Sequence, residues 1–346
     1  MISLLSSEDV KCLEKAGPVL CPHPIQRFDE SLLSLKGSFL GRVVKSFQHA
    51  VWVESQGSER LLTILHKSRH LVPFGFVWPE EVELPKSGYQ VEISGRQVKI
   101  SGPELDDKIY FLKGEGTNLA GSKMSGFFSQ GMLDSQMKHL FELLPPEGKA
   151  FLNCGDRAFK GDRAIKSDGS NEDCTHSGLS VKDRLERLLA RRVMELSRML
   201  TGWRVPDEDE LRASSLKLLG LGGGLTPTGD DLLVAAAAFL KRLEGAGDLS
   251  FKRGREIHET GKRYRKCLSG LPFEKTTIAG GEMLRWAAVG VFAEPIVELV
   301  ECLGRPGGLS GELELLEQKG NSLLRMGGRS GRDVLCGLIV LIKGLC

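Results

Sequence analysis

The spacing of apolar residues along the chain changes from one typical of strands to one typical of helices. Between about Gly37 and Ser101, short segments rich in valine and isoleucine alternate with clusters of glycine, serine and lysine. This arrangement is typical of strands joined by tight turns. The predicted strands are Phe39–Phe47, Ala50–Glu54, Arg60–Leu65, Tyr89–Ile93 and Gln97–Ile100. Five such segments without a helical pattern predict a small antiparallel sheet or barrel.

Beyond residue 120, apolar residues recur at intervals of three and four, which predicts helices. The first covers about 120–144 and ends before Pro145-Pro146, and the second begins near Val181 with one apolar face. Further helices are predicted at Glu208–Leu219, Asp231–Glu244, Phe251–Cys267, Gly281–Val291, Pro295–Leu303, Leu313–Arg325 and Asp333–Leu345. Residues 155–178 contain few apolar side chains, so we predict a mobile loop or linker there.

These patterns predict an α+β fold, with a small antiparallel, barrel-like β-rich domain followed by a mostly helical domain. The predicted boundaries are 1–115 for the β-rich domain, 116–180 for a helix plus a mobile linker, and 181–346 for the helical domain. A length of 346 residues fits two such domains.

Composition excludes several classes of protein. The 47 basic and 45 acidic side chains leave a formal charge of +2, whereas a nucleic-acid-binding protein needs basic residues to neutralise phosphates. No apolar run approaches the roughly 20 residues that span a bilayer, and the first residues lack the order of a signal peptide. We therefore expect a cytoplasmic protein that binds neither nucleic acid nor membranes. Its eight cysteines form no C-x-x-C pair, which favours free thiols over a zinc site.

Glycine is unusually frequent, and its densest cluster stands directly before an apolar helix. The chain has 42 glycines in 346 residues, above the typical usage of about 7%. Residues 220–233 read GLGGGLTPTGDDLL, in which Thr228 and Asp231 have the spacing of a capping box. One interpretation is a well-capped helix and nothing more. The alternative is that the glycines let a ligand or another backbone approach closely.

The same segment excludes two common phosphate-binding motifs. Gly224 and Gly229 have the G-x-x-x-x-G spacing of a P-loop, but Asp230 and Asp231 follow where that motif needs Lys and then Ser or Thr. No G-x-G-x-x-G pattern occurs in the segment, so a dinucleotide-binding fold has no support either.

A second segment near the end of the sequence resembles the first. Ser330-Gly-Arg-Asp-Val-Leu335 aligns with Thr228-Gly-Asp-Asp-Leu-Leu233, and both follow glycines and begin a helix with a hydroxyl, a glycine and an acid. The similarity is either that of two unrelated helix caps or a sign that two helix N-termini converge on one ligand. In the second case each start offers free N–H donors and a hydroxyl.

The acidic residues restrict the ligand. Helix starts attract anions, whereas Asp230 and Asp231 repel them, and like charges about 5 Å apart cost about 3 kcal/mol at an effective dielectric of 20. The carboxylates either point away as caps, hold a cation, or accept hydrogen bonds from an amide. A ligand with an anionic end and an amide end suits both the loop and the carboxylates. We expect no cofactor and no metal site, and nothing else in the sequence supports a divalent cation at these two residues.

Three segments together resemble the AllH-type family. They are GLGGGLTPTGDDLL, the segment from Thr276-Thr277 to Gly290, and the closing GGRSGRDVLCGL, which occur in the order of the family's signatures. The resemblance covers roughly residues 180–346. The family includes a subunit of oxamate carbamoyltransferase, so the resemblance implies a multi-subunit enzyme of anaerobic allantoin (purine) catabolism with FdrA-type and AllG-type partner subunits. Many members of the family have no assigned activity.

The resemblance also implies which residues form the site. Asp230 and Asp231 are the catalytic candidates. The candidate substrate-binding residues are Gly222, Gly223, Gly224, Thr226, Thr228, Gly229, Thr277, Ser330, Gly331 and Asp333. Arg329 departs from the family pattern, and an arginine there suits an anion or a different ligand.

The implied chemistry is attack of an amide nitrogen on the carbamoyl carbon of carbamoyl phosphate, or the reverse phosphorolysis. Backbone N–H groups, Thr226, Thr228 and Arg329 would bind the phosphate, and Asp230 or Asp231 would accept amide hydrogens. We therefore expect a carbamoyltransferase subunit that binds carbamoyl phosphate or an oxamate-like anion and is active only in the complex. The alternatives are a non-catalytic subunit that binds partners and a stand-alone protein that binds another small molecule.

Overall fold

The computed structural model contains a strand-rich unit, Met1–Leu119, and a helical unit, Ala120–Cys346. The structure describes residues 24–35, 37–57, 60–67, 69–79, 82–102, 105–120, 130–154, 180–202, 204–244, 254–304 and 309–345. The predicted α+β class, with strands first and helices after, is confirmed. The linker predicted at 155–178 lies outside the described residues.

Seven strands form a curled half-barrel sheet in the described part of the first unit. They are β1 (Ser38–Ser46), β2 (Ala50–Ser55), β3 (Leu61–Leu65), β4 (Gly75–Val77), β5 (Gln90–Ser94), β6 (Gln97–Gly102) and β7 (Leu105–Phe111). Their order across the sheet is β4-β3-β2-β1-β5-β6-β7. Neighbours pair antiparallel, except that β4 runs parallel to β3.

Alternation of apolar and polar side chains explains the central strands. In β5 and β6, Val91, Ile93, Val98 and Ile100 are buried, and the residues between them are more exposed. Gly95, whose φ is +56°, lies in the turn that joins these two strands, where a left-handed conformation suits glycine. The five predicted strands are confirmed to within two residues at each end.

The sequence reading missed β4 and β7 and the parallel pairing. β4 has only three residues, all buried, and therefore shows no alternation. β7 has the sequence LDDKIYF, whose early charges hide the strand pattern. β4 departs from the predicted antiparallel arrangement, since its residues Gly75–Val77 pair parallel with β3.

Asp29 joins two segments of the strand-rich unit. Its side chain is 1% exposed and accepts hydrogen bonds from the N–H groups of Ser31 and Phe74, the latter at 2.6 Å. Phe74 has a φ of +53°, a conformation that a non-glycine residue rarely adopts, and this bond helps to hold it. The carboxylate therefore compensates for local backbone strain.

We expect Asp29→Ala to lower the free energy of unfolding of this unit by about 2–3 kcal/mol, because buried N–H groups lose a charged acceptor. Hydrogen-exchange mass spectrometry of peptides from β3 and β4 measures the loss. The control is Glu30→Ala, which removes an exposed carboxylate at the next position. Equal exchange rates in the two variants would contradict the assigned role of Asp29.

Ten helices are described in the second unit. They are α1 (Gln130–Leu143), α2 (146–154), α3 (Val181–Thr201), α4 (Glu208–Leu218), α5 (Thr228–Leu243), α6 (Gly254–Ser269), α7 (Ile278–Ala288), α8 (Glu294–Cys302), α9 (Leu309–Leu324) and α10 (Ser330–Leu345). No helix within these residues is long and apolar enough to cross a membrane.

Helices α5 and α10 form the centre of the helical unit. Of the described helix pairs, they pack against each other most extensively. Both are buried nearly all round, as expected for the apolar runs LLVAAAAFL and VLCGLIVLI. Gly337 permits the close approach, since a Cβ there would lie 2.7 Å from the Cβ of Ala235.

Each predicted helix has a described counterpart, but α5, α7 and α10 begin three residues earlier than expected and α9 begins four residues earlier. Of the first predicted helix, residues 121–129 lie outside the described residues, and Ala120 forms a bridge with Val291.

The sequence reading placed the starts of α5 and α10 at Asp231 and Asp333, whereas Thr228 and Ser330 are already helical. The hydroxyl-bearing residues are therefore the first residues of these helices. Their side chains contact residues that are distant in the sequence.

Candidate functional site

The starts of α5 and α10 lie side by side. The hydroxyl groups of Thr226 and Ser330 are within hydrogen-bond distance of each other. Two residues further on, the hydroxyl of Thr228 donates to a carboxylate oxygen of Asp333 at 2.7 Å. The predicted convergence of the two helix starts is confirmed by these contacts. That the starts bind a ligand remains a prediction.

The two motifs exchange their hydroxyl contacts. Thr228 and Ser330 occupy equivalent positions, and Asp231 and Asp333 follow each of them by three residues. Thr228 donates to Asp333 of the other helix, and Ser330, which contacts Thr226, lowers the pKa of Asp231 of the other helix. The predicted capping box of Thr228 and Asp231 was therefore wrong. Pro227 is the N-cap of α5, and no side chain caps it.

Gly229 and Gly331 are required by packing. A Cβ at Gly229 would collide with the carbonyl of Leu218, and its distance to that carbonyl carbon would be 2.8 Å. A Cβ at Gly331 would collide with the carbonyl of Leu323, again with 2.8 Å to the carbon. At each motif, the glycine therefore allows the end of the preceding helix to pack against the first turn of the next helix.

Asp230 fixes the beginning of the glycine-rich loop. It is fully buried, accepts a hydrogen bond from the N–H of Gly220 at 2.8 Å, and accepts another from the hydroxyl of Thr276. Burial raises the pKa of Asp230, and these two hydrogen bonds oppose the rise. Both oxygens of this carboxylate are therefore engaged within the protein.

Thr277 ties the same loop to α7. Its hydroxyl oxygen accepts from the N–H of Gly280 at 2.9 Å, which caps α7, and its O–H donates to the carbonyl of Leu225 at 2.5 Å. Thr276 and Thr277 thus hold opposite ends of the loop. Thr276 lies in one of the segments that resemble the AllH-type family, but the sequence did not identify it as a site residue.

Asp231 is the buried acid nearest to the paired hydroxyls. It is 0% exposed, and its Oδ2 lies 3.4 Å from the hydroxyl of Thr226. Burial raises the pKa of Asp231 well above its ordinary value, and the negative charges of Asp333 and Asp230 raise it further. Hydrogen bonds from Ser330 and Thr226 act in the opposite direction.

Arg332 compensates the charge of Asp333, and the sequence reading did not identify it. Its Nε donates to Oδ1 of Asp333 at 2.7 Å, and its side chain is 19% exposed. Arg332 aligns with Asp230 of the first motif, so the alignment of the two motifs did not predict a positive charge at this position.

The glycine-rich loop itself reaches the surface. Gly223, Gly224 and Leu225 are exposed, and Gly222 and Gly224 have φ values of +119° and +107°. A Cβ at Gly223 would meet no described atom within 4 Å. Arg329 is also exposed, in the turn before α10. The site thus combines exposed backbone with buried acids beneath it.

Asp230 and Asp231 contact different residues, and these contacts determine whether the two carboxylates could hold a cation together. Asp230 contacts the loop start and Thr276, whereas Asp231 contacts Thr226 and Ser330. Among the residues that the structure describes, no three His, Cys, Asp or Glu side chains are grouped so as to hold a metal ion.

The segment that carries both motifs matches a known family. Residues 218–342 match the model of the family "Oxamate carbamoyltransferase subunit AllH". The AllH match begins at the last residue of α4 and ends within α10, so it includes both helix starts and the two threonines before α7. The predicted resemblance is confirmed for residues 218–342. Comparisons with curated proteins and with solved structures gave no match.

Proposed function

We propose that this protein is a subunit of an oxamate carbamoyltransferase-like enzyme and binds a small carbamoyl or amide anion where α5 and α10 begin. The observation that carries the proposal is the meeting of Thr226 with Ser330 and of Thr228 with Asp333 inside the AllH match. Two helix starts placed together concentrate N–H donors and positive helix-dipole ends at one point.

The anionic end of the ligand binds at the exposed loop in this proposal. The N–H groups of Gly222, Gly223 and Gly224 are suited to phosphate or carboxylate oxygens, since glycine lets an anion approach the backbone closely. The hydroxyl of Thr226 and the guanidinium of Arg329 add donors at the same rim. Gly229 and Gly331 contribute by letting the two helix starts pack closely.

The amide or carbamoyl end lies deeper, at the acids. The amide nitrogen of the acceptor attacks the carbamoyl carbon of carbamoyl phosphate, the bond from that carbon to the phosphate oxygen breaks, and the proton lost by the nitrogen passes to the departing phosphate. Asp231 contacts the reacting groups, and Asp230 positions the loop through Gly220 and Thr276. Stabilisation of charge by preorganised donors is the main catalytic contribution of such a site.

Partner subunits complete the enzyme in this proposal. An AllH-type chain works with FdrA-type and AllG-type subunits, in the cytoplasm, in the breakdown of allantoin. Leu225 and Ile278 flank the loop and are 47% and 58% exposed, which leaves apolar surface beside the site for such a subunit.

The proposal predicts that Thr228→Val weakens binding of carbamoyl phosphate by about tenfold or more, because the hydrogen bond to Asp333 that joins the two helix starts is lost. Isothermal titration calorimetry on the full chain measures this. Thr228→Ser keeps the hydroxyl and should bind like the wild type. Ser269→Ala removes a hydroxyl at the far end of α6 and serves as the matched control.

Equal affinity of the wild type and Thr228→Val would contradict the proposed site. A wild-type chain that binds partner subunits but no carbamoyl phosphate would favour the second candidate, a non-catalytic subunit. The exposed Leu225 and Ile278 support that candidate, since they suit a protein contact without requiring a ligand.

A further inference from the structure

Asp231 has one carboxyl oxygen without a partner. Its Oδ1 is buried and forms no hydrogen bond with any described group, whereas its Oδ2 has the hydroxyl of Thr226 at 3.4 Å. Buried polar atoms without partners are rare in folded proteins and call for an explanation. Asp231 lies in the first turn of α5, and its other oxygen faces Thr226 at the end of the glycine-rich loop.

We propose that Asp231 is a neutral carboxylic acid that recognises the carbamoyl or primary amide group of the substrate by a pair of hydrogen bonds. This inference rests on the proposed function and deepens it by assigning the orientation of the ligand. The carbamoyl end points inward to Asp231, and the anionic end points outward to Gly222–Gly224.

The distribution of charge around Asp231 explains why it carries the proton. Asp333 of α10 and Asp230 of α5 are the charged groups that act on it, and both are acidic. Arg332 binds Asp333. The other helices packed on α5 (α3, α4, α6, α7 and α8) bring no described charge of comparable effect to Asp231. A buried carboxylate without a cation is costly, and protonation removes the cost.

The hydrogen-bonding pattern of a neutral carboxyl group fits a carbamoyl group. The carboxyl offers one O–H donor and one carbonyl acceptor, and a carbamoyl group offers a carbonyl acceptor and an N–H donor in the same plane. An ionised carboxylate has only acceptors, so it would face the carbamoyl oxygen without a donor. Two parallel hydrogen bonds also fix the orientation of the ligand.

The contact from Thr226 is the one that the ligand replaces. At 3.4 Å it is the longest hydrogen bond among the residues at the two helix starts, whereas the bond from Thr228 to Asp333 spans 2.7 Å. Thr226 also belongs to the glycine-rich loop, whose outer residues are exposed. Displacement of this weak contact costs little compared with the two bonds that the carbamoyl group forms.

The test compares Asp231→Asn with Asp231→Ala. Asparagine has a donor and an acceptor in the positions of a neutral carboxyl group, and alanine has neither. We expect Asp231→Asn to bind carbamoyl phosphate within about threefold of the wild type and Asp231→Ala to bind at least about tenfold more weakly. Acetyl phosphate, which has a methyl group in place of the NH₂, should bind more weakly than carbamoyl phosphate to the wild type and equally to Asp231→Ala.

Thermal unfolding without ligand provides an independent readout. A raised pKa means that the folded state binds the proton more tightly, so stability falls as pH rises towards and through that pKa. Asparagine cannot lose a proton, so the melting temperature of Asp231→Asn should exceed that of the wild type by more at pH 8 than at pH 6.

The outcomes separate this inference from the proposed function. A wild type that binds neither carbamoyl phosphate nor inorganic phosphate overturns the proposed function and the ligand assigned to Asp231. If the wild type binds carbamoyl phosphate and both Asp231→Asn and Asp231→Ala lose this binding equally, an ionised carboxylate is required. That result overturns this inference alone. Destabilisation by Asp231→Asn that is greater at pH 8 than at pH 6 also overturns it.

Discussion

Gly229→Ala and Gly331→Ala are each expected to lower the melting temperature of the helical unit by about 6–12 °C. Each added methyl group collides with a backbone carbonyl, of Leu218 in one case and of Leu323 in the other. Overpacking of this kind costs about 3 kcal/mol, which corresponds to that shift for a unit of this size. Because the obstacle is backbone, no side-chain rotation can relieve it. Differential scanning calorimetry measures the shift.

Gly223→Ala is the control for both substitutions. A Cβ at Gly223 meets no described atom within 4 Å, and the residue does not have a positive φ. We expect its melting temperature to stay within about 2 °C of the wild type, as for most surface substitutions. Similar shifts for all three variants would show that the collision does not determine the effect.

Asp333→Ala is expected to lower the free energy of unfolding by about 3–5 kcal/mol. The substitution leaves the partly buried guanidinium of Arg332 without its carboxylate and the hydroxyl of Thr228 without its acceptor. Removal of one member of a buried pair is costly because the remaining charge is uncompensated. Urea denaturation followed by circular dichroism measures the change.

Two further variants make this result interpretable. Glu195→Ala breaks surface ion pairs with Arg191 and Lys217 and should cost less than about 1 kcal/mol. The double substitution Arg332→Met with Asp333→Leu removes both charges and should recover part of the stability, because no buried charge is left alone. A double variant as unstable as Asp333→Ala would assign the loss to Thr228 or to packing.

The convergence of the two helix starts could be predicted because both motifs share a hydroxyl, a glycine and an acid at equal spacing. The exchange of contacts between them could not. Thr228 and Asp231 have the spacing of a local capping box. The sequence therefore favours Asp231, three residues away, as the partner of Thr228 over Asp333, which is 105 residues away. Tertiary packing of α5 on α10 decides between them.

The role of the motif glycines shows a similar limit. A glycine predicts that something approaches the backbone closely, but not what approaches. At Gly229 the approaching group is the carbonyl of Leu218, whereas Gly223 and Gly224 are exposed. β4 escaped prediction for another reason, since three buried residues show no period.

The distance in sequence between α5 and α10 has a consequence for synthesis of the chain. Thr228 precedes Asp333 by 105 residues, which a ribosome adds in about 5–20 s. During that interval α5, which is apolar nearly all round, lacks the helix that covers it most extensively. Newly made chains therefore expose this helix until α10 is complete, and chaperones that bind apolar segments have time to bind it.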